Sequence, residues 1–175
     1  MKIRPATASD IPAITRIYGD SVRTGTASFE LEPPDGAEMT RRRSALVEGG
    51  YPYLVAEREG VTLGYAYAGP YRPRAAYRST VEDSVYVARG AQGQGVGRAL
   101  LVALLAECER LDFRLMVAVI GDAASTGSIA LHRSLGFDLV GTLPGIGYKH
   151  GRWLATVLMQ RALGPGTSTP PTRPV

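Results

Sequence analysis

The sequence predicts a single α/β domain built on a mixed, mostly antiparallel sheet, and three observations predict it. Apolar stretches of strand character alternate with stretches of helical spacing along 175 residues, a length that suits one core. Three strand-like runs follow one another in the middle of the chain, which favours antiparallel pairing. One of them leads through a glycine-rich loop into a long apolar helix and on to another strand, the mark of a parallel crossover.

Each element has a local reason. "IRPAT" reads as a short first strand. "SDIPAITRIYGDSV" offers Ser9 or Asp10 as an N-cap, Pro12 in the first turn, and Ile11, Ile14, Ile17 and Tyr18 at helical spacing. "TASFELEPPDG" is extended and broken by two prolines, and a second helix runs from about Ala37 to Glu48, ending at Gly49-Gly50. "YPYLVAEREGVTLGYAYAG" forms two strands turning at Glu59-Gly60. "PYRPRAAYRST" is a polar and aromatic loop and "VEDSVYVA" the next strand. Gly95 to Leu111 reads as a helix apolar nearly all round. "RLMVAVI" is a strand, "SIALHRSLG" a short helix closed by Gly136, and "FDLVGTL" and "RWLATVLMQRAL" are two final strands. The domain spans 1–163. The tail, 164–175, is rich in Pro, Gly, Ser and Thr and is expected to be disordered.

Composition narrows the function classes. No apolar run reaches membrane-spanning length, and "MKIRPATASD" lacks a secretory stretch. A single cysteine, Cys108, rules out an internal disulfide framework and suits a reducing cytoplasm. The net charge of +4 comes mostly from scattered arginines. The densest run, Arg41 to Arg43, shares its helix with Glu38 and Glu48, which describes a solvated face rather than a nucleic-acid patch. No metal-ligand spacing stands out.

The glycine loop carries the first functional signal. In "SVYVARGAQGQGVGRALL" Gly90, Gly93, Gly95 and Gly97 separate a β-branched run from a leucine-rich helix. A dinucleotide fingerprint starting at Gly93 fails because residue 98 is arginine, and a P-loop starting at Gly90 fails because Val96 stands where lysine is needed. The physical basis of both survives. Glycines after a strand let consecutive N–H groups converge on an anion, and the helix N-terminus adds its own donors and dipole. A diphosphate is the natural ligand, with Arg98 in the first turn to add charge.

Gln92-Gly93-Gln94-Gly95-Val96-Gly97 resembles the [QR]-x-x-G-x-[GA] acetyl-CoA loop of the GNAT superfamily of N-acetyltransferases. From residue 3 to about 161 the chain resembles the phosphinothricin N-acetyltransferases and their relatives acting on methionine sulfoximine and methionine sulfone. "YPYLVAE", "GYAYAGPYRPRAAY", "VEDSVYV", "VAVIG", "SIALHRSLGF" and "GYKHGRW" carry that resemblance in this order. It implies splayed strands holding acetyl-CoA, the pantetheine arm along Val85, Tyr86 and Val87, and the diphosphate on the amides from Gln92 to Arg98. It also implies a homodimer.

Acetyl transfer needs a deprotonated amine, a polarised carbonyl and a proton path. Glu82, a carboxylate within a strand, suits a polar cleft, and the resemblance makes it the general base. Asp83 points to the opposite face by strand alternation and is the weaker candidate. His132, amid Ile129, Leu131 and Leu135, would ordinarily be a hydrogen-bonded structural residue; the resemblance implies a second acid/base group, and it gives His150 a structural or substrate-proximal place. The Val87 N–H is the implied donor to the thioester oxygen. Cys108, inside the apolar helix, packs rather than reacts.

For the acceptor, Arg72, Arg74 and Tyr77 lie on one proline-bounded loop, and an arginine fork suits a carboxylate or phosphinate. Phe29 and Glu30 are expected to close the pocket, from the same or a neighbouring subunit. Two departures from the relatives stand out: Ala124 or Ser125 where an asparagine contacts the pantetheine arm, and Ala155 where an aspartate is common. Ser125 can replace part of the first contact. The expected activity is acetyl transfer from acetyl-CoA to the amine of a small amino acid, with no nucleic acid, membrane or metal involved. Acetylation of peptide N-termini and non-catalytic acyl-CoA binding are the alternatives.

Overall fold

The computed structural model describes residues 1–172. In chain order the elements are β1 (Lys2–Pro5), α1 (Ile11–Thr24), α2 (Gly36–Glu48), β2 (Tyr53–Arg58), β3 (Val61–Pro70), β4 (Thr80–Val87), α3 (Val96–Arg110), β5 (Leu115–Gly121), α4 (Thr126–Ser134), β6 (Asp138–Lys149) and β7 (Arg152–Ala162). The seven strands form one sheet in the order β1-β2-β3-β4-β5-β7-β6. Only β4 and β5 run parallel, joined by the α3 crossover, as expected.

Two cores follow from strand alternation. On one face Tyr53, Val55 and Tyr65 meet Ile11, Ile14, Ile17, Tyr18 and Val22 of α1 and Met39 of α2. On the other Leu54, Ala56, Ala66 and Ala68 meet α3. The α3 helix buries Val96, Leu100, Leu101, Leu104, Leu105 and Cys108, a stripe at i, i+4 spacing that leaves Val102 exposed. It is thus one-sided rather than apolar all round.

Some ends differ from expectation. Asp10 stands at the α1 N-cap but makes no side-chain cap. Its carboxylate instead takes Arg4 at 2.7 and 2.8 Å and the Thr7 N–H at 2.7 Å. The Arg4 guanidinium, outweighing burial, holds the Asp10 pKa down to about 2. β6 runs beyond "FDLVGTL" to Lys149, with irregular pairing at Leu139/Gly141 and Leu143/Gly147. Pro144 is tolerated there because β6 is an edge strand. In the stretch expected to be disordered, Gly166 O, Thr169 Oγ1 and Pro170 O accept hydrogen bonds from buried Arg114 at 3.4, 2.9 and 3.0 Å. Residues 173–175 lie outside the described residues.

Leu104 lies fully buried between α3 and the sheet. Leu104→Ala is expected to cost about 2–5 kcal/mol, read from urea unfolding, with two-state behaviour retained.

Candidate active site

The site begins where β4 and β5 part. Their pairing runs from Thr80↔Leu115 to Asp83↔Ala118 and stops there, although β4 continues to Val87 and β5 to Gly121. The Ala88 N–H donates to Leu63 O across β3. By alternation the backbone groups of Val85 and Val87 face the opposite way, into the split. They are the donors and acceptors that a strand-like ligand would pair with. Tyr86 pairs with Tyr65 of β3, and its ring stacks there at 5.2 Å and meets Tyr18 edge-on at 5.0 Å. Tyr86 therefore backs the groove rather than offering it a backbone edge.

Three adjoining cavities trace a path. One, about 70 Å³, fills the split between Asp83–Tyr86 and Ala118–Gly121 and is bounded by Ser125, Ser128 and His132. A second, about 320 Å³, runs along Val85–Arg89 past the end of α1. A third, about 630 Å³, opens over Gln92, Gly93, Gly95–Arg98 and Gly127. Ser125 borders all three, its hydroxyl donating to Gly121 O at 2.8 Å.

Two of the four glycines answer to backbone conformation. Gly93 and Gly95 have φ of 73° and 78°, the left-handed region, and a Cβ on either would meet open space. Glycine is needed there for the turn, and the turn leaves the amides before α3 open to the groove. Gly90 and Gly97 meet neither constraint: a Cβ on Gly97 would touch Leu131, Val87 and Val85 at 3.4–3.9 Å. Gln94 fastens the loop by donating to Gly90 O at 2.8 Å and accepting from Arg58 at 3.2 Å. Gln92 and Arg98 are exposed, whereas the Val96 side chain is buried, so only its backbone can meet a ligand.

The two acidic neighbours diverge as alternation requires. Glu82 is half-buried on the face of Tyr67 and the Arg72 loop. Burial, reinforced by Asp83, raises its pKa against the lowering pull of Arg72. Asp83, passed over as the weaker candidate, is buried on the α4 face with its Oδ2 3.0 Å from His132 Nε2. His132 Nδ1 lies 2.7 Å from Ser128 O. Burial lowers the His132 pKa, but Asp83 and the Ser128 carbonyl outweigh it and the net direction is upward. No short-range sequence signal could reveal this pair, because its members are 49 residues apart.

The acceptor-side residues fall into two groups. Arg72 lies 5.2 Å over the Tyr71 ring and acts on Glu82, while Arg74 and Tyr77 are exposed on the same loop. Phe29 and Glu30 belong to a stretch fastened over the mouth of the split. Lys149 Nζ, buried, donates to Ser28 O at 2.7 Å, and His150 Nε2 lies 3.2 Å from Gly25 O. Thr26 Oγ1 donates to Asp122 at 3.1 Å, and Arg152 pairs with the same carboxylate at 2.5 Å. The Phe29 ring covers Gly147 and Gly121. Glu30 is held by Tyr18 OH at 2.8 Å and Arg42 at 2.6 Å, so its carboxylate is already engaged. Among the described residues no cluster of three or more His, Cys, Asp or Glu could hold a metal ion, and no helix is long and apolar enough to cross a membrane.

Against known proteins, residues 15–137 match the Acetyltransferase (GNAT) family. A phosphinothricin N-acetyltransferase of Alcaligenes faecalis is 54% identical over 97% of this chain and 86% of its own length. An L-methionine sulfoximine/L-methionine sulfone acetyltransferase of Pseudomonas paraeruginosa is 42% identical, covering 96% and 98%. Among solved structures, a GNAT superfamily phosphinothricin acetyltransferase from Sinorhizobium meliloti, in complex with AcCoA, superposes with a TM-score of 0.96 at 51% identity, covering 99% and 94%.

A methyl on Gly121 would overlap the Thr26 carbonyl oxygen, whereas one on Gly90 would meet nothing. Gly121→Ala is expected to lose about 1–3 kcal/mol by displacing the 25–30 stretch, and Gly90→Ala to unfold at the wild-type urea midpoint or above it.

Proposed function

The chain belongs to the GNAT family of acetyltransferases, and on that premise we propose that it moves the acetyl group of acetyl-CoA to the amine of a small amino acid or analogue of the phosphinothricin, methionine sulfoximine or methionine sulfone type, by direct attack in a ternary complex. One observation carries this: adjoining cavities run from the left-handed glycine turn, along the open edge of Val85 and Val87, to the split strand pair whose ladder ends at Asp83. Their open backbone donors and acceptors suit a diphosphate joined to an amide-bearing arm. Acetyl-CoA supplies the activated acyl carbon.

The chain's own groups do the rest. The amides from Gln92 to Arg98 and the α3 N-terminus hold the diphosphate, with Arg98 at the rim. Val85 and Val87 fix the arm, and the Val87 N–H polarises the carbonyl. Ser125, at the junction of the three cavities, takes up part of the arm's contact. Glu82 removes a proton from the acceptor ammonium, a task its raised pKa suits. Arg72, Arg74 and Tyr77 receive the acceptor's anionic group. Phe29 walls the pocket, and Glu30 orders that wall through Tyr18 and Arg42. The chemistry calls for no metal, and a reducing, cytoplasmic setting suits the single, buried cysteine.

The protein is also proposed to form a homodimer. The edge strand β6 and its hairpin partner β7 expose Leu139, Val140, Leu143, Ile146, Tyr148 and Trp153, a patch that a second copy would cover. Light scattering should give twice the 18.7 kDa chain mass, and a monomer at all micromolar concentrations would overturn that part.

Phosphinothricin or methionine sulfone is expected to stimulate coenzyme A release from acetyl-CoA. Release with peptides alone would replace this function with peptide acetylation, and no release with any amine would leave a non-catalytic acyl-CoA-binding domain. Glu82→Gln should lose about 100-fold or more in kcat while still binding acetyl-CoA.

Because the base works deprotonated, kcat/KM should rise with pH through the raised Glu82 pKa. Arg72→Ala removes the group that lowers that pKa, so the rising limb should move to higher pH as the acceptor KM increases. A limb unmoved in Arg72→Ala would separate that arginine from Glu82.

A further inference from the structure

We propose that Asp83, braced by His132, is the group that meets the sulfur end of the acyl donor and carries the proton to the departing thiolate. This rests on the acetyl-transfer function proposed above and gives His132 a different part in it. Both ring nitrogens of His132 face acceptors, Asp83 Oδ2 at 3.0 Å and Ser128 O at 2.7 Å. Two acceptors need two N–H donors, so the ring is held as an imidazolium with no nitrogen left to turn towards a ligand. The unmet valence belongs to its partner. Among the described residues, buried Asp83 Oδ1 has no hydrogen-bond partner, and Asp83 lines the cavity in the split. A buried carboxylate oxygen left open is costly unless something donates to it.

Position identifies the donor. Asp83 forms the last paired register before the strands part, so it sits at the floor of the groove. A ligand anchored by its phosphates at the glycine turn and lying along Val85 and Val87 spends its amides on those residues and brings its reacting end to that floor. In coenzyme A the reacting end is the thiol, whose S–H can donate to Oδ1; the thioester sulfur carries no hydrogen, so that bond forms only as the thiol departs. Glu82, one residue earlier, faces the other side of the sheet. The two carboxylates therefore flank the reacting end, one towards the amine and one towards the sulfur.

The protons balance as follows. The acceptor ammonium gives one proton to Glu82 and attacks, forming the C–N bond. As the C–S bond breaks, its electron pair stays on sulfur; His132 Nε2 gives its proton to Asp83 Oδ2, and the carboxyl turns to deliver that proton to the sulfur. The pair is left as a carboxylate and a neutral imidazole. The amide nitrogen loses its second proton to solvent, solvent restores the pair, and Glu82 releases its proton, so one proton is freed per turnover. The charged groups acting on the pair are Glu82, from the far face of β4, and the pair's own two members. β5 contributes Ala118 and Ile120, and Phe137 sets its ring edge-on to His132 at 5.0 Å.

The test compares Asp83→Asn and His132→Gln with the wild type, each checked for folding by circular dichroism. Asp83→Asn should lose about 100-fold in kcat with the acetyl-CoA KM within about threefold, and the falling alkaline limb of its pH profile should disappear. His132→Gln should lose a similar factor, because the imidazolium is the source of the proton that the carboxyl delivers. Independently of turnover, nitrogen NMR of the wild type should show His132 protonated at both nitrogens near neutral pH, and Asp83→Asn should return the ring to one proton.

An active wild type whose Asp83→Asn or His132→Gln variant keeps its rate overturns the role alone. A wild-type His132 ring with one proton overturns it even where Asp83→Asn does not fold. A wild type that releases no coenzyme A with any amine overturns the acetyl-transfer function and this role together.

Discussion

Everything in this protein's site depends on two strands that stop pairing. β4 and β5 share a ladder through Asp83 and Ala118 and then diverge. Parallel neighbours in the middle of a sheet normally satisfy each other's backbone, and leaving buried donors and acceptors unpaired is expensive. The fold limits that expense by keeping each strand paired on its other side. β4 stays in register with β3 as far as Val87↔Gly64, and β5 with β7 as far as Gly121↔Thr156. The sheet is thus cut in its centre without losing its halves, and the cut exposes an edge whose open groups an extended, amide-bearing ligand can pair with.

A cut sheet needs its halves held together at the open end, and polar bonds do this. The stretch from Gly25 to Glu30 leaves α1, on the β1–β4 half, and is pinned by Lys149, His150 and Asp122 to the β5–β7 half. Burial lowers the Lys149 pKa, and its Nζ donates to the Ser28 carbonyl. An apolar clamp would have closed the split, since side chains that gain by contact fill the space between them. Directional bonds across a bridge hold the span and leave the space beneath open.

Much of the fold could be read from the chain because its signals are local. Pro12 with the isoleucine spacing marks α1, Glu59-Gly60 marks the β2–β3 turn, and the glycine loop with its leucine-rich continuation marks the crossover. The long β6 was hidden by Pro144 and Gly145, which read as a stop yet are accommodated on an edge. The glycine turn and Glu82 were likewise visible as residue types in unusual places. The Asp83–His132 pair and the engagement of Glu30 by Tyr18 and Arg42 were not. Each depends on which elements the topology makes neighbours, over sequence distances that no periodicity spans. Alternation placed Asp83 on the opposite face from Glu82, and its chemistry depended on what α4 brings to that face.

That alternation also couples the two halves of the reaction. Adjacent strand residues lie close enough to feel each other's charge through a poorly screened interior, and Asp83 does raise the Glu82 pKa. When the Asp83–His132 pair holds its proton it is a neutral ion pair, and its effect on Glu82 is partly cancelled by the imidazolium. Once the pair gives that proton to sulfur, an uncompensated carboxylate remains, and Glu82 holds its own proton more firmly. On the proposed mechanism Glu82 would therefore keep the amine's proton while the thiol departs, which would disfavour return of the proton to the new amide and reversal of the transfer. Two consecutive carboxylates on one strand, separated by the sheet itself, achieve an ordering that two carboxylates on one face could not, since there each would raise the other's proton affinity without distinguishing amine from sulfur.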